Sequence, residues 1–226
     1  MTRLSIVIPV LNEAAGIEAA LTALLPLRQH GAEVIVVDGF SSDGTPELAR
    51  ALADRVVASP RGRAVQMNAG AAAATGDIFL FLHADTRLPE DADELVRTAL
   101  AGPSVWGRFD VRFTDGALPL VAAAMNLRSR LSGIATGDQA MFVTRDAFAR
   151  AGGFPEIALM EDIALSANLK HLSRPVCLRA RVTTSPRRWR AHGTLRTILT
   201  MWRLRLAFFL GADPKRLARA YGHGGN

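Results

Sequence analysis

The first 83 residues contain four short apolar runs that alternate with segments of helical composition. The runs lie at 4–10, 32–38, 54–59 and 77–83, and they are rich in Val, Ile and Phe. Continuous apolar runs of this length are typical of strands covered on both faces, as in a parallel sheet. The segments between them, at 14–28, from Thr45 onward and at 63–75, indicate helices. Such alternation predicts a doubly wound α/β sheet with helices on both faces.

After residue 103 the pattern becomes mixed. Strands are predicted at 105–113 and 139–145 and within VCLRARVTTS, and helices at 117–131, at 146–151 and from Glu161 onward. An arginine-rich turn and two helices, at roughly 192–210 and 213–221, complete the chain. We therefore expect a sheet that is mixed but mostly parallel.

Composition limits the class of protein. The 226 residues, 49% of them hydrophobic, can bury a sizeable core in one domain. The single cysteine, Cys177, excludes an internal disulfide and a thiolate zinc cluster, which favours a reducing compartment. The apolar run at 4–11 is too short for a spanning helix and contains Pro9, so a buried strand explains it better than a signal peptide. We expect a soluble or membrane-peripheral, cytoplasmic protein.

Charge is distributed unevenly along the chain. From Ser173 onward there are twelve Arg and Lys residues and one acid, Asp213, although the whole chain has a net charge of only +6. The basic character therefore belongs to the C-terminal part. It predicts a surface that faces phosphates, anionic lipid or another acidic partner.

Polar residues follow each predicted parallel strand, where ligands bind in sheets of this kind. Asp85, just past a buried strand, suits a divalent cation together with substrate phosphates, although an Asp here could simply cap the turn. His83 shares the face of Asp85, but a lone His is more often a packed core residue. Asp38 begins the loop DGFSSDG, which could hold a base or ribose or merely reverse the chain.

Two further pairs of charged residues stand at predicted helix starts. Arg61 and Arg63 lie where the helix dipole favours anions, so they are candidates for a phosphate contact, with solvated surface arginines as the alternative. Glu161 and Asp162 could be dipole partners of their helix. A general base in a cleft needs the same type of residue.

The segments SIVIPVLNE, VVDGFSSDGT, FLFLHADTRLP and GGFPEIALMED, taken in order, resemble family 2 glycosyltransferases of the GT-A fold over residues 4–170. More narrowly, RGRAVQMNAGA, LHADTRLP, TGDQAMFV and SPRRWRAHG resemble a bacterial subgroup known as radical-SAM/selenodomain-associated or arsenosugar-biosynthesis transferases. The resemblance implies a GT-A catalytic domain over 1–190, with a nucleotide-binding half (1–103) and an acceptor half (104–190). Residues 191–226 then form a basic helical extension.

The resemblance also implies roles for individual residues. Asp85 falls on the last aspartate of the DxD motif, which binds a divalent metal, Mn²⁺ or Mg²⁺, on the donor diphosphate. Asp162 matches the presumed base of the ED motif, and Glu161 orients it. The implied nucleotide-binding residues are Pro9, Asn12, Glu13, Asp38, Arg61, Arg63, Asn68 and Ala84.

This chain departs from the family pattern at two motifs. His83 occupies the first position of DxD and is at most a weak metal ligand. The QxxRW motif of processive members is reduced to Arg188 and Trp189 without the glutamine, and no spanning helix is present, so polymer synthesis is not expected. The resemblance therefore implies metal-assisted, inverting, non-processive transfer from a nucleotide-diphosphate sugar, with a UDP-sugar favoured, to an acceptor hydroxyl.

The segment 195–210 is amphipathic, with arginines among Leu, Trp and Phe. It could pack on the domain or in a homodimer interface, or it could bind anionic lipid on the inner face of the membrane, which would fit a lipid-linked acceptor.

Three other functions are alternatives to the transferase. A nucleotidyltransferase should show a glycine-rich loop after the first strand, which VLNEAAGIE lacks. Binding of nucleic acid through the basic tail with Trp189 and Trp202 would be salt-sensitive and is opposed by the carboxylates at the strand ends, so no specific nucleic acid is expected. A nucleotide-sugar binder without transferase activity is the third alternative.

Overall fold

The computed structural model of the protein describes residues 2–221, without the side chains of Asp115, Arg188 and His192. The predicted contribution of the Arg188 side chain and the last residues of the predicted extension thus lie outside the described residues.

The described strands match the predicted ones closely, and three short elements are added, namely one strand and two 3₁₀ turns. The strands are β1 (Leu4–Val10), β2 (Glu33–Asp38), β3 (Arg55–Ala58), β4 (Ile78–Phe81), β5 (Thr86–Arg87), β6 (Trp106–Phe113), β7 (Phe142–Thr144) and β8 (Val176–Thr184). Short 3₁₀ turns occur at Thr114–Gly116 and Gly137–Gln139. The strand β5 was not predicted, because two residues are too few to show an alternating pattern.

The helices are α1 (Ala14–Thr22), α2 (Leu25–Gln29), α3 (Thr45–Arg50), α4 (Arg63–Ala73), α5 (Ala92–Ala99), α6 (Pro119–Ser132), α7 (Arg145–Arg150), α8 (Glu161–Lys170), α9 (Arg187–His192), α10 (Thr194–Phe209) and α11 (Pro214–Ala220).

Three predictions about helices were wrong in detail. The single helix at 14–28 is divided into α1 and α2, because Pro26 cannot donate the backbone hydrogen bond that would continue α1. The amphipathic helix α5 was missed. The predicted arginine-rich turn contains the short helix α9.

Within residues 2–221 the strands form one eight-stranded mixed sheet in the order β3-β2-β1-β4-β7-β6-β8-β5. Strands β1 to β4 are parallel to one another, with Val10 opposite Asp38 at the carboxyl end of the first pair. Strand β7 runs antiparallel to both neighbours, and β6 and β8 are parallel. The predicted fold class, a mostly parallel sheet with helices on both faces, is confirmed.

The two faces of the sheet bury separate hydrophobic cores. Along β1, Ile6 and Ile8 point into the core that α1 and α5 cover, whereas Val7 between them points into the core that α4 and α8 cover. This alternation follows from the period of two in a strand. It explains why both faces of β1 and β2 are apolar in the sequence.

A third cluster joins the C-terminal helices to the start of α8. Leu204 of α10 and Leu217 of α11 pack with Leu159, Met160 and Ile163. None of the helices within residues 2–221 is long and apolar enough to cross a bilayer.

Candidate functional site

The loops that follow β1 and β2 are joined by hydrogen bonds. The backbone amide of Asn12 donates to Ser41 Oγ, and Asn12 Oδ1 accepts from the amide of Ser42, both at 2.9 Å. Asn12 adopts a positive φ of 55°, a conformation that Asn tolerates better than most residues. One rigid double loop therefore lies at the carboxyl ends of these strands.

The end of β2 presents a buried carboxylate. Asp38 is 5% exposed and accepts from the amide of Ser41 at 3.1 and 3.3 Å. Nearby, Gln66 Nε2 of α4 donates to the carbonyls of Val10 and Val37, both at 2.8 Å. Gln66 thus fixes the spacing of the two strand ends, a role that the sequence signalled only as a polar residue on the apolar face of α4.

Glu13 and Asp85 share one cationic partner. The guanidinium of Arg187 lies 3.8 Å from Glu13 Oε1 and 3.9 Å from Asp85 Oδ2. Burial raises the pKa of Glu13 and the charge of Asp85 raises it further, while Arg187 opposes both effects. The two predicted donor-site carboxylates are therefore close enough to act on one another, and Arg187, which sequence reasoning missed, partly neutralises them.

His83 connects this donor side with the rest of the site. Its Nδ1 lies 3.4 Å from Asp138 Oδ1, while Nε2 is buried without a hydrogen-bond partner in the described part of the chain. A Cβ at Gly137 would lie 2.4 Å from Nε2, so only glycine leaves room for the ring. Metal ligation by His83 stays a prediction.

The two acids of the ED segment begin α8 and face different partners. Asp162 Oδ2 accepts from the amide of Gly137 at 2.8 Å, and Oδ1 accepts from that of Ile163 at 2.7 Å. Glu161 is 4% exposed and lies 3.5 Å from Arg63 Nη1. Met160, with a φ of 72°, makes the turn that brings both acids to the helix start.

The charges of this pair are strongly coupled to their surroundings. Burial raises the pKa of Glu161, and the neighbouring charge of Asp162 adds to that rise, whereas Arg63 lowers it without cancelling it. Burial lowers the pKa of Arg63, but the charges of Glu161, Asp162 and Asp138 outweigh this and raise it overall. Negative charge therefore dominates at the start of α8.

Asn68 supports the loop that leads into this segment. Its Nδ2 donates to the carbonyl of Phe154 at 2.8 Å, and its Oδ1 accepts from the amide of Phe154 at 2.9 Å. Both ends of the Asn68 amide group therefore form hydrogen bonds with the backbone of Phe154. A nucleotide contact by Asn68 stays a prediction.

The other predicted nucleotide-binding residues lie at the same edge of the sheet. Pro9 pairs with Val37 near the end of β1, Arg61 is exposed just before α4, and Ala84 is half-buried between His83 and Asp85.

One cavity brings several predicted residues together. His83 lines this cavity together with Glu161 and Asp162. The charge of His83 also lowers the pKa of Glu13 slightly. The remaining lining residues are Arg63, Met67, Phe81, Gly137, Met141 and Phe154. His83 and Arg63 thus line one cavity with the ED pair, and Glu13 and Asp85 are not among its lining residues.

The metal-ligating side chains of the site fit a hard divalent cation only if the substrate supplies the remaining ligands. The described residues contain no group of three or more His, Cys, Asp or Glu side chains arranged to hold a metal. Asp85 offers a half-exposed carboxylate with Glu13 nearby. Mg²⁺ is commonly held by one or two carboxylates together with substrate phosphates, so this arrangement is compatible with a metal that arrives with the donor.

Comparison with known proteins shows the family. Residues 5–153 match the sequence profile of glycosyl transferase family 2. The chain belongs to this family.

Among curated proteins, the succinoglycan biosynthesis protein ExoA of Rhizobium meliloti is 40% identical over 111 residues, covering 42% of this chain and 32% of that protein. The chain thus spans about a third of that relative's length.

Solved structures show the same fold. The mannosyltransferase PcManGT from Pyrobaculum calidifontis, in complex with GDP-Man and Mn²⁺, has a TM-score of 0.68 at 24% identity, covering 97% of this chain and 69% of that one. S. aureus TarS 1-349 in complex with UDP-GlcNAc has a TM-score of 0.67 at 19% identity, covering 81% and 58%. The GT-A fold predicted from the sequence is confirmed.

Proposed function

We propose that this protein transfers a hexosyl group from a nucleotide-diphosphate sugar to an acceptor hydroxyl, with inversion and without processive polymerisation. The observation that carries the proposal is the cavity that His83 and Arg63 line with the ED pair, together with Asp85, which follows His83 by two residues and shares Arg187 with Glu13. The nucleotide-sugar complexes of its structural neighbours support the choice of donor class. Among donors we favour a UDP-sugar, and RGRAVQMNAGA and TGDQAMFV support membership of the radical-SAM/selenodomain-associated subgroup.

In this proposal Asp162 is the general base. Each of its oxygens accepts one backbone hydrogen bond, which orients the carboxylate and leaves further lone pairs for the acceptor proton. The acceptor oxygen forms a bond to the anomeric carbon, the bond from that carbon to the diphosphate breaks, and the proton passes to Asp162. A single displacement inverts the anomeric configuration.

On the donor side, Asp38 and the double loop around Asn12 would hold the nucleoside. Asp85 and Glu13 would hold the divalent metal, which, when bound, supplies positive charge to the leaving diphosphate. Arg187 already lies beside both carboxylates and is placed to contact the diphosphate.

Calorimetric titration tests the donor site first. UDP, GDP and dTDP, each with and without Mn²⁺, would be titrated into the wild type, Asp85→Ala and the control Asp91→Ala, which alters an exposed acid at the start of α5. We expect metal-dependent binding of one nucleotide that Asp85→Ala loses and Asp91→Ala keeps. Absence of binding under every condition would contradict both the transferase and the nucleotide-sugar binder, and would favour binding of nucleic acid through the basic tail.

The base is tested by turnover with the nucleotide-sugar that binds. Removing a general base typically costs about 10²- to 10⁴-fold in rate, so Asp162→Asn should lose turnover by that factor with donor affinity kept. Near-wild-type turnover, or a product that retains the donor's anomeric configuration, would refute this role.

We further propose peripheral contact of α10 with anionic lipid on the inner face of the membrane, near a lipid-linked acceptor. Leu204 of α10 packs inward, while Leu199, Trp202, Leu206 and Phe209 are exposed along one side of the helix, which supports this proposal. Binding to liposomes that contain anionic lipid should be lost in Trp202→Asp. Concentration-dependent dimers in sedimentation, without lipid binding, would assign this face to a homodimer instead.

A further inference from the structure

Two arginines whose charges interact with that of the proposed base each have a buried nitrogen without a hydrogen-bond partner in the described part of the chain. Arg128 lies on α6 and Arg205 on α10, and both side chains are half-buried. Arg128 Nη2 and Arg205 Nε are buried and unsatisfied. A buried donor without a partner is costly, and the cost is greater for a charged group. The chain therefore keeps two guanidinium groups in a place where the described residues do not satisfy them.

Other buried arginines show how the chain normally treats such groups. Arg108 is fully buried, but it pairs with Asp110 and donates to the carbonyls of Phe109 and Asn126. Arg130 pairs with the same Asp110 at 2.6 Å. Arg108 Nε is also buried without a partner, so the difference lies in the ion pair: among the described residues, Arg128 and Arg205 have no comparable one, and an anionic ligand would supply it.

The electrostatics beside Asp162 are consistent with a missing anion. Burial lowers the pKa of Arg128 to about 10, with the charge of Arg205 as the next cause, and burial also lowers the pKa of Arg205. Asp162 is the largest opposing influence on both. Its carboxylate, however, already accepts from the amides of Gly137 and Ile163.

The position of the two arginines favours the acceptor rather than the nucleotide. Leu204, next to Arg205, packs against Met160 and Ile163, which flank the ED pair. Ile134, just after α6, packs on the same cluster. The nucleotide-facing loops, in contrast, follow β1, β2 and β4. Helix α10 and the segment just after α6 therefore pack beside the start of α8, from the predicted acceptor half and the C-terminal extension.

We propose that Arg128 and Arg205 bind a phosphate group carried by the acceptor, close to the hydroxyl that Asp162 deprotonates. Guanidinium groups match phosphate oxygens with paired hydrogen bonds, and two of them balance a phosphate dianion. The inference rests on the proposed function and adds the chemical class of the acceptor. Satisfying the unpaired nitrogens with such a ligand would position the acceptor hydroxyl.

Calorimetry with inorganic phosphate as the probe tests this subsite. Wild type, Arg128→Gln and Arg205→Gln would be titrated while the nucleoside diphosphate that binds is saturating, so that the donor's own phosphate positions are filled. The matched control is Arg203→Gln, an exposed arginine of the same helix. We expect phosphate affinity to fall at least tenfold in the first two variants and to change less than twofold in the control.

Nucleotide affinity distinguishes the sources of the phosphate. It should stay within twofold of wild type in all three variants. A tenfold loss of nucleotide affinity in Arg128→Gln or Arg205→Gln would assign the arginines to the donor diphosphate and overturn the proposal, as would equal phosphate affinity in every variant. If no nucleotide binds, phosphate would be titrated alone: loss in both variants would support the anion subsite although the transferase fails.

Thermal unfolding separates a ligand-binding role from a structural one. Because Gln removes a desolvated charge that lacks an ion pair, Arg205→Gln should unfold at the same or a higher temperature than the wild type without ligand. Added phosphate should raise the unfolding temperature of the wild type more than that of the variant. A large loss of stability without ligand would indicate that the arginine is structural and would overturn the proposal.

Discussion

Gly70 faces the sheet from the middle of α4, the helix that also carries Arg63, Gln66 and Asn68. An ideal Cβ at this position would lie 2.3 Å from Val7 Cγ1 and 2.8 Å from Val37 Cγ2. Attractive carbon contacts occur at about 3.5–4.0 Å, so the added methyl would overlap both side chains.

The neighbours of Gly70 cannot easily yield. Val7 and Val37 are fully buried, and β-branched side chains are stiff at χ1. Overpacking of this kind typically costs about 1–3 kcal/mol, while Gly to Ala in a helix returns about 1 kcal/mol. Gly70→Ala should therefore lower the free energy of unfolding by up to about 2 kcal/mol.

Gly16 provides a matched control on α1. A Cβ at this exposed position meets nothing within 4 Å, so Gly16→Ala should gain up to about 1 kcal/mol from helix propensity alone. Urea unfolding followed by circular dichroism measures both changes, and the slopes should match the wild type. If Gly70→Ala were as stable as Gly16→Ala, α4 would not approach β1 and β2 as closely as described.

Two further predictions concern the support and the charge of the candidate site. Asn68→Asp removes the amide donor to the Phe154 carbonyl and places a carboxylate beside that carbonyl, so the free energy of unfolding should fall by about 2–4 kcal/mol. A lower urea midpoint would show this loss. Weaker nucleotide binding at unchanged stability would instead identify Asn68 as a nucleotide contact. Because the pKa of Glu161 is raised above its usual 4.5, stability from this group is full below pH 4.5 and is lost as pH rises through the folded pKa. The unfolding temperature of Glu161→Gln should therefore rise relative to that of the wild type as the pH increases from 4.5 towards neutrality. A difference between the two unfolding temperatures that stays constant or shrinks over this range would contradict the reasoning.

The parallel half of the sheet could be predicted because its local signals agree with its tertiary environment. Strands covered on both faces must be apolar throughout, and their polar carboxyl ends, such as Asp38 and Asp85, stand out against that background. The predicted boundaries of strands and helices were wrong where the sequence pattern was short or mixed, as in β5 and at Pro26.

Ion pairs between residues that are far apart in the sequence could be identified only from the tertiary structure. Arg187 reaches Glu13 and Asp85 from the far end of the chain, and Asp138 meets His83 only because β7 lies next to β4. A periodic pattern reports which side of an element is apolar, but it does not report which other element covers that side.

Arg128 and Arg205 illustrate this limit. In the sequence each is one arginine on an amphipathic helix, where solvation is the usual fate of a charge. In the folded chain each has a buried nitrogen that the described residues leave unsatisfied, and the charge of Asp162 acts on both. The sequence by itself determined the fold class, the family resemblance and the positions of the carboxylates, because these depend on local periodicity and on contiguous motifs. Only the packing of helices on the sheet decided which charges are paired and which are left to receive a ligand.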